Sequence, residues 1–235
     1  MRELFKTGGN VRAGYGRLIL PDPPARFTEE KMDTVLRKIT GGATDADIIK
    51  ETAGILKRGG IAVFPTETVY GIGADAFNED ACKRIYDIKK RPNEKALIVL
   101  ISDAKDLDKV TEEIPASARP LIEKYWPGPL SIIFKKNKNI PDIVSGGTDT
   151  VAVRFTSNPI LQKIITEAGT PIVAPSANIS GRPAAVTAAE ALKDFDGLAD
   201  IIIEDDGALG GGQSTIVDVS SGDVKLIRQG AVQNP

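Results

Sequence analysis

Two kinds of apolar pattern alternate along the chain: helical spacing in some segments, short unbroken runs in others. Ile48, Ile49, Ala53, Ile55 and Leu56 fall on one side of a helix that Asp45 or Asp47 can cap and Gly59-Gly60 ends. The run 61–64 reads as a strand stopped by Pro65. Asn78 can cap a helix over 79–90 that turns Ala81, Cys82, Ile85, Tyr86 and Ile88 inward. The continuous apolar run 97–101 has the pattern of a strand buried on both faces. Helical segments are predicted near 103–109 and 116–125, then a turn at Tyr125-Trp126-Pro127-Gly128-Pro129 and a strand at 130–134 before a Lys-rich loop. A strand at 151–154, a helix at 159–168 and a strand at 171–174 come next. Thr187 and Glu190 form a capping box for a helix over 188–194. After a strand at 201–203 and a glycine loop at 207–212, segments 215–219 and 224–228 read as a hairpin around Ser221-Gly222-Asp223. Alternating strands and helices closed by a hairpin predict a twisted, mixed α/β sheet flanked by helices. Residues 1–31 hold no sustained period and are rich in Gly and Pro, so they read as a flexible N-terminal arm before one domain over 32–235.

Composition narrows the chemistry. The chain has no histidine, which removes imidazole bases, Ser-His-Asp catalysis and most zinc sites. The single cysteine, Cys82, excludes an intramolecular disulfide and reads as a small packed residue on its helix. Only carboxylates remain as metal ligands; they suit Mg²⁺ brought in with a phosphate substrate, and no metal site built by the protein is predicted. Net charge is −2, so a polyanion site must be local rather than a global basic field. No apolar run approaches the ~20 residues that span a bilayer, and the N-terminus lacks the apolar core of a secretory signal; a cytoplasmic protein without membrane attachment is expected.

Candidate chemistry centres on 61–95. Gly71-Ile72-Gly73-Ala74-Asp75-Ala76 fits a GxGxxA dinucleotide pattern, but a dinucleotide fingerprint turns directly from strand into helix, and here PTETVY intervenes. Gly71 and Gly73 therefore read as turn residues. No GxxxxGK[ST] is present, so phosphate binding would need side-chain cations. Lys89, Arg91 and Lys95 lie around one helix end, and Pro92 forces the chain to turn there. Cations at a helix C-terminus also complement its macrodipole. Other segments add to them. Ser176 and Asn178 follow a strand directly, at the end where open α/β sheets bind ligands. Thr150 and Arg154 share one side of a strand. Ser214-Thr215 leaves a glycine loop, and Arg228 ends the last strand.

The segments PTETVYGIG, KKRP, YWPGPL, DTVAVR, APSANISGRP, QSTIVDV and LIRQG, in this order, resemble the YrdC-domain family of threonylcarbamoyl-adenylate synthases over about 37–230. Lys89/Arg91 with Ser176/Asn178 match the family's paired signature, and the length resembles its short, single-domain form. The resemblance implies a YrdC-like twisted sheet with a concave ligand-binding surface. It implies a nucleotidyltransferase that makes threonylcarbamoyl-AMP and pyrophosphate from L-threonine, bicarbonate or CO₂ and ATP with Mg²⁺. The product feeds, through a downstream threonylcarbamoyl-transferase complex, the N6-threonylcarbamoyl modification of adenosine 37 in tRNAs reading ANN codons. By similarity, Lys89 and Arg91 position the reacting groups and stabilise charge. Lys89, Arg91, Lys95, Thr150, Ser176, Asn178 and Arg228 hold ATP, and Thr68, Arg154, Ala174 and Ser214 hold threonine. Glu67 is a candidate for a Mg²⁺ or water contact. Leu100 stands where many relatives carry histidine, and Ala96-Leu97 where they carry Pro-Leu. Two other readings are a double-stranded RNA or tRNA-binding module, given six cations in 83–95, and a paralogue with a changed amino-acid substrate, given Leu100.

Overall fold

The structure, a computed structural model, describes residues 33–42, 45–205 and 212–235. The predicted arm at 1–31 and most of the 207–212 loop lie outside those residues. In chain order the elements are β1 (Val35–Ile39), α1 (Asp45–Lys57), β2 (Ala62–Pro65), β3 (Tyr70–Asp75), α2 (Glu79–Lys89), β4 (Ile98–Ile101), α3 (Leu107–Val110), α4 (Arg119–Tyr125), β5 (Leu130–Lys135), α5 (Asp142–Ser145), β6 (Thr150–Phe155), α6 (Pro159–Ala168), β7 (Ile172–Val173), α7 (Ala188–Phe195), β8 (Ile201–Asp205), β9 (Thr215–Asp218) and β10 (Lys225–Arg228).

The ten strands form one sheet in the order β1-β8-β2-β3-β7-β4-β6-β5-β9-β10. Four parallel pairs (β1/β8, β2/β8, β4/β6, β5/β9) and five antiparallel ones (β2/β3, β3/β7, β4/β7, β5/β6, β9/β10) share it, so the mixed α/β sheet expected from the sequence is found. The central strands are covered on both faces, and their side chains sort by the two-residue period of a strand. Phe64, Leu100, Ile201 and Ile203 join Ile48, Leu56, Leu161 and Ile165 on the side of α1 and α6. Val63, Val99, Val153 and Ile202 join Ala81, Ile85 and Phe195 on the side of α2 and α7. Asn78 and Thr187 cap their helices as the sequence predicts; Asp45, one of the two expected caps of α1, is instead its first residue, with its carboxylate accepting from the Thr40 and Gly41 amides at 3.1 and 2.9 Å, and Asn158 is a further cap, of α6. Asn78 accepts from the Ala81 amide at 3.0 Å, Asn158 from Ile160 and Leu161, and Thr187 from Glu190.

Three elements depart from the sequence expectation. The stretch carrying Gly71 and Gly73 is a strand, β3, paired in register with β2 so that Phe64 faces Gly71. The aromatic ring of Phe64 occupies the space of the missing side chains: a Cβ on Gly73 would lie 2.6 Å from its Cζ, and one on Gly71 3.2 Å from its Cε2. The glycines are there for close packing beneath a ring rather than for a turn. β1 is an edge strand whose alternation is half polar, with Arg37 held by both carboxylate oxygens of Glu51 at 2.8 and 3.0 Å. Its short and charged pattern hid it among coil signals. α5 is a single turn inside the Lys-rich segment, too short to show a period.

A β-branched residue at position 73 would have to displace the Phe64 ring. Gly73→Val is expected to lower the denaturant midpoint, with a loss of roughly 1–3 kcal/mol typical of overpacking. An unchanged midpoint would contradict the packing assigned to Phe64.

Candidate active site

The hairpin β2–β3 places a polar turn, Thr66-Glu67-Thr68-Val69, above the strand ends of β4, β6 and β7. The turn is fixed by its own hydroxyls. Thr66 Oγ1 donates to the Val69 carbonyl at 2.7 Å and accepts from the Thr68 amide at 3.1 Å. Because Thr66 has committed its only hydroxyl proton, Thr68 Oγ1 donates across the 3.0 Å contact between them. Thr68 Oγ1 in turn accepts from Arg154 Nη1 at 3.3 Å. The segment after β7 runs alongside β3: the Ile72 amide donates to Pro175 O at 3.0 Å, and the Ala177 amide to Tyr70 O at 2.7 Å. In this way residues far apart in sequence are drawn to one place.

Between them lies a cleft of about 150 Å³. The β2–β3 turn gives it Thr66, Thr68 and Val69; β3 gives Tyr70 and Gly71; the segment after α2 gives Arg91 and Ala96. Ile98 of β4, Arg154 of β6 and Ala174–Ser176 after β7 complete one side, and Gln213, Ser214 and Arg228 the other. Three guanidinium groups thus line a small space whose walls, among the described residues, carry no acidic side chain. Each is oriented by the protein. Arg91 donates through Nε to Lys95 O at 3.0 Å and through Nη2 to Ala96 O at 2.8 Å. Arg228 donates through Nε and Nη2 to Ser214 O, at 3.2 and 2.8 Å. Arg154 is 5 % exposed and keeps one hydrogen bond, to Thr68, with Glu67 Oε1 3.5 Å from its Nε. Burial lowers the pKa of all three; the nearby charge of Arg154 lowers Arg228 further, while Glu67 opposes the effect at Arg154.

Of the site residues expected from the sequence, Thr68, Arg91, Arg154, Ala174, Ser176, Ser214 and Arg228 stand on the walls of this cleft. Lys89 and Asn178 lie immediately behind Ser176. The Lys89 ammonium is buried and donates to the carbonyl oxygens of Ser176 and Asn178, the latter at 2.7 Å, while Ser176 Oγ donates to Asn178 Oδ1 at 2.7 Å. Lys89 therefore locks the loop that carries the Ser-x-Asn pair. Lys95 is exposed and Thr150 half-buried, and neither is on the walls.

Other expectations shift. Leu100 is fully buried in the core on the α1/α6 side, and the β4 wall is Ile98, one strand period earlier. Glu67 is half-buried: its Oε2 accepts from Thr156 Oγ1 at 2.7 Å and its Oε1 faces Arg154. Among the described residues no group of three or more Cys, Asp or Glu side chains could hold a metal ion. Cys82 is buried with its pKa pushed up to about 12, chiefly by burial, and is no nucleophile. Thr66 and Tyr70 on the walls went unmarked in the sequence reading. A turn rich in hydroxyls was the available signal for Thr66.

A small cleft lined by three arginines and several hydroxyls, opening at strand ends of a mixed α/β sheet, defines a binder of small anionic molecules. Residues 54–230 match the profile of the Sua5/YciO/YrdC family, described as telomere recombination, and the chain belongs to that family. It is 40% identical over 184 residues to the threonylcarbamoyl-AMP synthase of Pyrococcus abyssi, covering 78% of this chain and 54% of that protein. To the threonylcarbamoyl-AMP synthase of Pseudomonas aeruginosa it is 38% identical over 174 residues, covering 73% and 92%. The crystal structure of P. abyssi Sua5 complexed with L-threonine superimposes with a TM-score of 0.78 at 38% identity, covering 86% of this chain and 58% of that one. The chain spans about half the length of the Pyrococcus abyssi and Bacillus subtilis relatives it matches.

Burial, with the Arg91 charge adding, lowers the Lys89 pKa from 10.5 to about 7, and Asp194 opposes this. Between those values the unfolded chain keeps a proton that the folded chain releases, so this group makes stability rise with pH across that window. Stability measured at pH 7, 8 and 9 for the wild type and Lys89→Met should differ by an amount that grows in the wild type's favour, with a slope of up to ~1.4 kcal/mol per pH unit. A difference independent of pH would contradict the burial of a titrating ammonium.

Proposed function

We propose that this protein is an L-threonylcarbamoyladenylate synthase, forming threonylcarbamoyl-AMP and pyrophosphate from L-threonine, bicarbonate or CO₂ and MgATP. The observation that carries the reading is the cluster of Arg91, Arg154 and Arg228 around one small cleft that, among the described residues, has no acidic wall residue. The names of the relatives at 38–40% identity and the L-threonine complex of P. abyssi Sua5 support it.

The chemistry asks little of the protein by way of reactive groups. The amine of threonine adds to CO₂, forming an N–C bond and releasing a proton, and the resulting carbamate oxygen attacks the α-phosphorus while pyrophosphate leaves. The nucleophile comes from the substrate, which suits a chain without histidine and with an inert cysteine. What remains is to hold the reactants together, neutralise the charge that develops, and keep water from an unstable carbamate.

Arg154 is suited to the amino-acid carboxylate, since a guanidinium offers five donors and the protein's hydrogen bond to this one engages only Nη1. Thr68 Oγ1, whose proton points to Thr66, is left as an acceptor for the substrate amine. Ser214 and the Ala174 backbone would contact the rest of the amino acid. A cleft of about 150 Å³ is of amino-acid size, so the nucleotide would extend outward past Arg91, Ser176 and Arg228 towards Lys95, Thr150 and Asn178. Lys89 would act by holding the Ser176–Asn178 loop. The product would pass to a threonylcarbamoyl-transferase complex that modifies tRNA, which puts the enzyme in the cytoplasm; no helix among the described residues is long and apolar enough to cross a membrane.

The other two readings lose ground. Of the six cations in 83–95, Lys89 is buried, Arg91 turns to Lys95 and Ala96 carbonyls at the cleft, and Arg84 donates to Gly59 O and pairs with Asp200. Of the six, Lys83, Lys90 and Lys95 remain exposed, half of the cluster that suggested an RNA surface. Leu100, the hint of a changed amino-acid substrate, is not on the cleft wall.

The test is pyrophosphate release with MgATP. It should require both L-threonine and bicarbonate; no release under conditions where ATP binds would overturn the proposal. Arg154→Ala should raise the threonine KM by about tenfold or more with the ATP KM changed by only about two- to threefold, and Arg91→Ala should show the opposite order. Equal effects of both changes on both substrates would overturn the division of the cleft.

A further inference from the structure

Glu67 and Arg154 form a buried pair that is left incomplete. Their side chains are 13 % and 6 % exposed, and Glu67 Oε1 stands 3.5 Å from Arg154 Nε without a hydrogen bond between them; both atoms are buried with no partner. Buried polar atoms are nearly always satisfied, and a breach of that rule at a cleft wall asks for a reason. The far end of the carboxylate is by contrast well held. Thr156 is fully buried; its hydroxyl accepts from the Asn158 amide at 3.2 Å and so has its proton free to donate to Glu67 Oε2 at 2.7 Å. Asn158 in turn caps α6, with its side-chain oxygen accepting from Ile160 and Leu161 at 3.0 and 2.9 Å. A continuous set of contacts therefore runs from the start of α6 through Asn158 and Thr156 to Glu67, and ends at the Nε side of Arg154. The opposite edge of the guanidinium meets Thr68 on the cleft wall.

From this geometry we propose that Glu67 is a positioning residue for amino-acid binding: anchored by Thr156, it aligns Arg154 and offsets its charge so that the outer guanidinium edge presents paired donors to the substrate carboxylate. The proposal deepens the synthase reading and rests on it. A fixed carboxylate behind a substrate-binding arginine does two things. It selects one orientation of a planar, five-donor group. It also offsets the repulsion between Arg154 and Arg228. Glu67 touches no reacting atom in this scheme.

The experiment compares the wild type with Glu67→Gln, which keeps the size and the bond from Thr156 but removes the charge. Pyrophosphate release is measured as a function of L-threonine and of MgATP. The threonine KM is expected to rise about tenfold with the ATP KM within about twofold, because only a charge-assisted contact to the amino acid is weakened. Binding of L-threonine and of L-threoninol, in which CH₂OH replaces the carboxylate, supplies a readout that a purely structural role would not move. The preference for threonine should shrink in Glu67→Gln as it does in Arg154→Ala. In an Arg154→Ala background, Glu67→Gln should cause no further loss, since Glu67 acts only through Arg154. Thr156→Val, which frees Glu67 but leaves its charge, should raise the threonine KM in the same direction by a smaller factor, and it carries the test if the Gln variant does not fold. A wild-type enzyme that turns over with threonine, together with an unchanged threonine KM in Glu67→Gln or an equal rise in both KM values, overturns this inference alone. No threonine-dependent release by the wild type overturns the synthase reading and this inference with it.

Discussion

Three guanidinium groups gathered around about 150 Å³ repel one another, and much of this fold can be read as the means of keeping them there. Arg154 sits on a central strand and is nearly buried, Arg228 ends an edge hairpin, and Arg91 follows a helix. Burial disfavours the charge of each, and Arg154 adds to the burden on Arg228. The protein answers with oxygens rather than with acids on the cleft walls. Carbonyls of Lys95, Ala96 and Ser214 orient Arg91 and Arg228, the hydroxyl of Thr68 meets Arg154, and one carboxylate, Glu67, stands behind it. The result is a site held short of negative charge, which a carboxylate or a phosphate can complete.

Bringing these groups together depends on close backbone approach. The Phe64 ring lies where side chains at Gly71 and Gly73 would be, which lets β3 sit tightly on β2 and carry the Thr66–Val69 turn over the strand ends. Lys89 performs the corresponding task on the other side, tying the end of α2 to the loop after β7 through the carbonyls of Ser176 and Asn178. At the last wall, a Cβ on Gly230 would lie 2.3 Å from Gln213 O, so a glycine there lets the C-terminal segment lie against the strand that presents Ser214. Packing, more than any single contact, sets the shape of the cleft.

The central elements were legible in the sequence because their patterns are strong. Helix α6 shows a strong apolar face and spans the predicted residues. The cations and hydroxyls of the cleft were legible as residue types beside strand ends. Their division of labour was not. Periodicity shows that Lys89 is on a helix but not that its side chain turns inward under Ser176, because a lysine is ordinarily read as solvated. Strand β3 was hidden since two glycines within six residues look like a turn until the ring that covers them is known. The role of Glu67 was out of reach for a similar reason: its partners, Thr156 and Arg154, lie 87 or more positions away in the chain, and no local pattern joins them.

The central claim is that one cleft takes the amino acid at Arg154 and the nucleotide towards Arg91 and Arg228. A crystal structure of this protein with L-threonine, Mg²⁺ and a non-hydrolysable ATP analogue tests it most directly. The account predicts the threonine carboxylate on the outer edge of Arg154 beside Thr68, with the phosphates against Arg91, Ser176 and Arg228. Threonine bound elsewhere, or a phosphate seated on Arg154, would contradict it.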